Sequence, residues 1–186
     1  TFFLLMTCSL FVQGETLINT SFENGENYTV GSVNNQQKWK VTTGSGVITS
    51  EAALVYAGQQ ALRTTTSASN LQVEHIAYAS NVTALGGDVY VDFYIRQNTL
   101  PAVNYAITGY DLGSNTHRSF MIEFQPNGKL KLYDGSSGWS TQPAYAVGTW
   151  VRISVKIDNG TGKYQLAVNG ELMNKIFNFR EIKKCQ

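Results

Sequence analysis

Four residues at alternate positions, Tyr90, Asp92, Tyr94 and Arg96, carry the clearest chemical suggestion in this 186-residue chain. They fall on one side of the run DVYVDFYIR, Asp88 to Arg96, while Val89, Val91, Phe93 and Ile95 fall on the other. Period-two alternation is the signature of a half-buried strand. Two phenol rings beside a carboxylate and a guanidinium suit a ligand with flat apolar faces and many hydroxyls. Rings stack on the faces, and the charged forks hydrogen-bond the hydroxyls. A sugar has both features. Tyr110, Trp139 and Tyr145 are further aromatic candidates. Trp139 follows Asp134-Gly135-Ser136-Ser137-Gly138, which reads as a loop, where a large apolar side chain either covers a ligand or caps the core beneath it. Tyr is also a good strand former, so the same face is compatible with a purely structural role.

Bond cleavage asks for more than a surface. Asp88 and Asp92 are the one same-face acid pair in a clear strand. At about 3.3 Å per residue they stand about 13 Å apart. Retaining and inverting glycosidases place their carboxyls about 5–9.5 Å apart. His75 and His117 are candidate general bases, or else ordinary loop and surface residues. No His/Cys group has zinc spacing, and no glycine pair opens a helix as a phosphate loop does.

The elements that must position these residues are strands. Phe120, Ile122 and Phe124 alternate inward in Ser119 to Gln125, and Pro126-Asn127-Gly128 turns the chain into Lys129 to Tyr133. Val151, Ile153, Val155 and Ile157 share a face in Trp150 to Ile157. Asp158 to Gly162 turns it back into Tyr164 to Val168, and Asn169-Gly170 turns it again into Glu171 to Met173. Val103 to Tyr110, Trp39 to Val41, Gly46 to Thr49 and Ala61 to Thr65 read as further strands, with Trp39 and Trp150 as core residues. No amphipathic helix or internal repeat is present. Strands with one apolar face each must stack as two antiparallel sheets.

The stretch GTWVRISVKIDNGTGKYQLAVNGELM, Gly148 to Met173, resembles the closing hairpins of the concanavalin A-like, or laminin-G-like, jelly-roll superfamily. Ser21-Phe22-Glu23, Tyr28, Gly31, Gln37 to Trp39 and Gly58 to Leu62 are similar to bacterial extracellular members. The resemblance implies the fold and leaves the function open, since lectins, carbohydrate-binding modules, adhesion domains, glycosidases and lyases share it. It also implies one more strand after the last hairpin, which near Ile176 to Cys185 is expected to be partial or missing. The superfamily's glycosidase signature, Glu-x-Asp-x-x-Glu, does not occur. Gln72-Val73-Glu74-His75 is similar to the Gln-x-His strand of jelly-roll alginate lyases, but one residue longer, which sets Gln72 and His75 on opposite faces. No cofactor is required. The resemblance allows a structural calcium, toward which Glu23 and Glu26 are the nearest acids, and no ligand set is assigned.

Composition bounds the partners. Charged residues are 15% of the chain and the net charge is +1. A domain averages about 25% charged. Without clustered Lys and Arg, nucleic acid is not an expected partner. Thr1 to Val12 is an apolar run too short to span a bilayer, which takes about 20 residues. Residues 1–14 read as a secretory signal segment begun inside its apolar region, with lipoprotein processing at Cys8 as the variant reading. Cys185 then stands alone, so no disulfide framework is expected. Residues 15–186 read as one β-sandwich. The sequence predicts a secreted, non-catalytic, lectin-like module of a larger extracellular protein, binding a polysaccharide or glycan. Two alternatives stay open: a polysaccharide lyase or glycoside hydrolase of the same fold, and an adhesion domain with a protein partner. An exposed apolar edge would favour the last.

Overall fold

A computed structural model describes residues 19–65, 72–75, 88–111 and 114–180. The expected signal segment with Cys8, and Cys185, lie outside these residues. Among the described residues thirteen strands follow one another: β1 (Gly31–Ser32), β2 (Trp39–Thr43), β3 (Ser45–Thr49), β4 (Ala61–Thr65), β5 (Gln72–His75), β6 (Asp88–Arg96), β7 (Tyr105–Asp111), β8 (Ser114–Phe124), β9 (Lys129–Asp134), β10 (Gly138–Ala144), β11 (Trp150–Asp158), β12 (Lys163–Val168) and β13 (Glu171–Asn178). Among the described residues helix is limited to two single 3-10 turns, Asn24–Glu26 and Ala52–Leu54. The chain is an all-β sandwich of antiparallel sheets, as the alternation predicts.

Among the described residues two four-stranded sheets make the sandwich, in the orders β10-β9-β8-β7 and β13-β12-β11-β6. Phe120, Ile122 and Phe124 of β8 and Leu130 and Leu132 of β9 face Val151, Ile153, Val155 and Ile157 of β11, Tyr164 and Leu166 of β12 and Phe177 of β13. Val89, Val91, Phe93 and Ile95 of β6 close one side. Each fully buried side chain of this kind contributes about 1.5–3 kcal/mol. The sandwich therefore dominates the smaller core of Tyr28, Val33 and Ile48, which lies under the sheets β1-β3-β4 and β2-β5. Trp39 packs against that smaller core, its ring tilted by 46° to Phe22 at 5.5 Å and its Nε1 donating to the Tyr28 hydroxyl at 3.0 Å.

The turns follow their residues. Asn169 and Gly170 both have positive φ, at 52° and 85°, as a type I′ hairpin between β12 and β13 demands. Asp158 Oδ1 accepts from the Thr161 amide at 2.9 Å and starts the β11–β12 turn. Among the elements that differ from the expectation, three bear on the sandwich and its edges. β8 begins earlier, at Ser114, and β13 runs on to Asn178 rather than stopping at Met173. The third is β10, where the sequence suggests only a loop. The loop shrinks to the Asp134–Gly138 hairpin, and Trp139 is a strand residue opposite Tyr133. β10 is the outermost strand of its sheet among the described residues, and Pro143 falls in a register irregularity between Thr141 and Ala144. An edge position tolerates a proline and needs no clean alternation, which hides the strand from pattern reading.

Candidate functional site

The outward face of β6 and its neighbour β11 holds the predicted residues. The register sets Tyr90 opposite Lys156, Asp92 opposite Ser154 and Tyr94 opposite Arg152. Arg152 reaches diagonally to Asp92: its Nε donates to both carboxylate oxygens at 3.0 and 3.1 Å, and its Nη2 closes the fork on Oδ2. Ser154 Oγ adds a donor at 3.3 Å. The hydrogen bond from Arg152, against a smaller opposing effect of burial, holds the Asp92 carboxyl below its usual range. Asp88 pairs with Lys156 Nζ at 2.7 Å and accepts the Tyr90 hydroxyl at 3.4 Å. Both acids of the same-face pair are thus bound to cations, a role in cross-strand pairing rather than proton transfer.

One end of this face is an aromatic corner. Tyr56 stacks on Tyr94 with ring centroids 4.0 Å apart and planes inclined by 18°. Its edge meets Trp150 at 5.4 Å. The Arg152 guanidinium lies 6.0 Å from the Tyr94 centroid. The Tyr94 hydroxyl, more than burial, raises the Tyr56 phenol above its ordinary value. The loop carrying Tyr56 is held from two sides. Arg96 Nη1 donates to the Ala53 carbonyl at 2.7 Å, and Glu23 Oε1 accepts the amides of Gln59 and Gln60 at 2.9 and 3.0 Å. Gly58, at φ 78°, has no room for a side chain: a Cβ there would lie 2.2 Å from Glu23 Oε1. Beside Tyr56 the loop encloses a shallow depression of about 410 Å³, lined by Ser50, Ala52, Val55, Tyr56, Gly58 and Gln59 among others. The offered ring surface is large: Tyr90 is 70% exposed, Tyr56 52% and Tyr94 42%.

Tyr90, Asp92, Tyr94 and Arg96 are therefore brought together, although Arg96 is half-buried with its Nε enclosed and works as a loop tether. Trp139 is not part of this group. It shares the outer face of the opposite sheet with Tyr133, edge-on at 5.1 Å, and Lys131 Nζ sits 5.0 Å over its ring. Tyr110 lies in β7 of that same sheet, opposite Arg118; its side chain is outside the described residues. Tyr145 is buried against Phe124 at 5.1 Å, a core residue and no ligand platform. Trp150 corrects the expectation of a core tryptophan. It precedes the inward Val151 and so points outward, half-buried beneath Tyr56. Tyr56 and Arg152 are the functional candidates that sequence reasoning missed. Arg152 was detectable, since it alternates with Val151 and Ile153 beside a strand ready to pair with β6. For Tyr56 no local signal exists.

His75 pairs with Trp39 in the two-stranded sheet β2-β5, whereas Arg96 belongs to the sandwich. Glu23 and Glu26 serve as loop clamps. Both Glu26 oxygens face donors, from the Thr20 hydroxyl at 2.9 Å and from the Ser21 amide and hydroxyl. Burial pushes the Glu26 carboxyl up, but these bonds together outweigh it and leave the group below its ordinary value. Carboxylates ringed by N–H and O–H donors do not fit a hard cation, which needs the same lone pairs. Among the described residues no three His, Cys, Asp or Glu converge as a metal-holding group, and no helix is long and apolar enough to cross a membrane.

No known protein family matches the chain, and no curated protein does. Among solved structures, a chain described as a sialidase superposes with a TM-score of 0.61 at 15% identity, over 83% of this chain. The match spans 13% of that sialidase chain. At this identity the likeness shows a shared β-sandwich fold.

Proposed function

We propose that this chain is a secreted, non-catalytic carbohydrate-binding module, one part of a longer extracellular protein, of the concanavalin A-like or laminin-G-like jelly-roll class. The observation that carries the reading is a sheet face on which Tyr56 and Tyr94 stack at one corner and Tyr90 lies exposed farther along β6, with the bidentate Asp92–Arg152 pair between them. Aromatic surface next to fixed donors and acceptors meets the two needs of a sugar. Because an open face buries little of its ligand, affinity is modest, and each ring contributes about 1–2 kcal/mol. The chain shares its fold with part of a sialidase, a protein whose name refers to sugar chemistry, which agrees with a carbohydrate-related module. Affinity electrophoresis through gels with embedded polysaccharides tests the reading. Retardation lost in Tyr94→Ala, with folding intact, supports it. Retardation lost only in Trp139→Ala moves the site to the opposite sheet.

A second reading rests on a different edge. Leu172 and Ile176 of β13 are each more than half exposed, on the outermost strand of the same sheet among the described residues. An apolar edge is what an adhesion domain with a protein partner would present. Capture of an extracellular protein that is abolished by Leu172→Ser with Ile176→Ser, and untouched by Tyr94→Ala, would place this reading first.

A further inference from the structure

The sandwich face bears three cations near the rings, and each is already engaged. Arg152 spends its fork on Asp92. Lys156 is bound to Asp88 at 2.7 Å. Arg96 is half-buried, its Nε is enclosed, and its Nη1 is on the Ala53 carbonyl. The depression beside Tyr56 is lined by no charged residue. An anionic sugar here would meet Arg152 and Lys156 only through N–H groups whose charge Asp92 and Asp88 already balance. Drawing either cation away would leave Asp92 or Asp88 facing the ligand's own negative charge. A hydroxyl asks for no such exchange: it donates to a carboxylate oxygen and accepts from a remaining guanidinium N–H without breaking the pair.

The rings narrow the geometry as well. Tyr94 has one face covered by Tyr56, so of the two stacked rings Tyr56, the more exposed at 52% against 42%, is the better placed to take a sugar face flat. Its other neighbour, Trp150, props it from the side. We infer that the ligand is an uncharged glycan, seated with a pyranose face on Tyr56 and its hydroxyls toward the Asp92–Arg152 pair. This rests on the carbohydrate-binding reading and names its substrate class and its principal contact residue.

The test is affinity electrophoresis of the whole chain in gels containing a neutral galactomannan or glucan, and in parallel gels containing alginate or polygalacturonate. Each is run from about 0.01 M to about 1 M salt, over which the screening length falls from about 30 Å to about 3 Å. The expected result is retardation in a neutral gel that does not change with salt. Tyr56→Ala should weaken it about tenfold, and Tyr56→Phe, which keeps the ring, should not. Thermal unfolding of both variants separates lost binding from lost folding. Retardation confined to the acidic gels and fading with salt overturns the inference while leaving a carbohydrate-binding module. Neutral binding that survives Tyr56→Ala but is lost in Trp139→Ala overturns the placement. No retardation in any gel overturns the carbohydrate reading itself, and this inference with it.

Discussion

Asp134 is the one charged side chain buried among the described residues, 3% exposed at the end of β9. Its Oδ1 accepts from the Ser136 amide at 3.0 Å, the Ser136 hydroxyl at 2.8 Å and Asn178 Nδ2 at 2.9 Å. Its Oδ2 faces Lys175 Nζ at 3.2 Å. Ser136 belongs to the β9–β10 hairpin, while Lys175 and Asn178 belong to β13, so this carboxylate latches one sheet to the other. Replacing it by alanine removes an acceptor common to all of these donors. Lys175 is half-exposed and regains water, so its share is about 0–1 kcal/mol. Each hydrogen bond to the ionised group is worth about 1.5–3 kcal/mol, less what the partly exposed Ser136 and Asn178 recover from solvent. The sum for Asp134→Ala is about 3–5 kcal/mol, in line with the loss of one partner from a buried charged network. For a chain of 186 residues that is a fall in Tm of about 6–20 °C.

Burial alone would raise the Asp134 carboxyl, but the bonds from Asn178, Ser136 and Lys175 overcome it and hold the group far below its ordinary 3.8. The folded state thus favours the ionised form, and its contribution is fully present above that unfolded value. It is lost as pH falls from there toward the lower folded value. Differential scanning calorimetry of wild type and Asp134→Ala should show a wide gap in Tm at pH 7 that narrows below about pH 4. Asp134→Asn, which keeps an oxygen for Ser136 but loses the charge, should fall between the two. A change for Asp134→Ala within about 0.5 kcal/mol, the range of an ordinary surface substitution, would refute the latch.

Two further outcomes follow from the same sandwich. A Cβ on Gly135 would lie 1.8 Å from the Phe179 carbonyl oxygen, where only backbone can yield, so Gly135→Ala should cost at least about 1–3 kcal/mol in a denaturant melt. The Asp92–Arg152 pair is bidentate but half-exposed, so a double-mutant cycle with Asp92→Asn and Arg152→Gln should return a coupling of about 0.2–1 kcal/mol, decreasing with salt.

The sandwich was legible because its sheets each have one wet face. Val151, Ile153, Val155 and Ile157 cannot alternate with polar residues unless one side is covered, and Val89 to Ile95 repeat the pattern with the register that pairs them. Asn169-Gly170 announced its hairpin because two consecutive positive φ angles exclude most side chains. β10 was not legible: an edge strand with Pro143 in a bulge has neither a clean pattern nor a full ladder to demand one. Asp134 was hidden for a related reason. Asp before Gly reads as a turn residue, and its real partners, Lys175 and Asn178, are brought in by a strand from the other sheet.

The candidate site divides along the same line. Tyr90, Asp92 and Tyr94 could be placed on one face from their spacing, since a strand fixes the side of every second residue. Trp150 could have been placed there too. Its neighbour Val151 is inward, so an inward Trp150 would break the alternation that defines the strand. Its size made the core seem its natural home. The structure resolves that conflict by covering it with the loop bearing Tyr56. That loop is the part no local pattern encodes, because its position depends on Glu23 and Arg96, residues far from it in sequence. The two halves impose different demands on a ligand face. A sheet can fix the spacing of its side chains rigidly but gives them all one level. A clamped loop adds a second level above it, and here it lays Tyr56 over Tyr94. On the proposed reading, a ring raised in this way would meet a sugar before the ion pairs below it do, so stacking would be the first contact and the charged pairs would act on hydroxyls already brought to them.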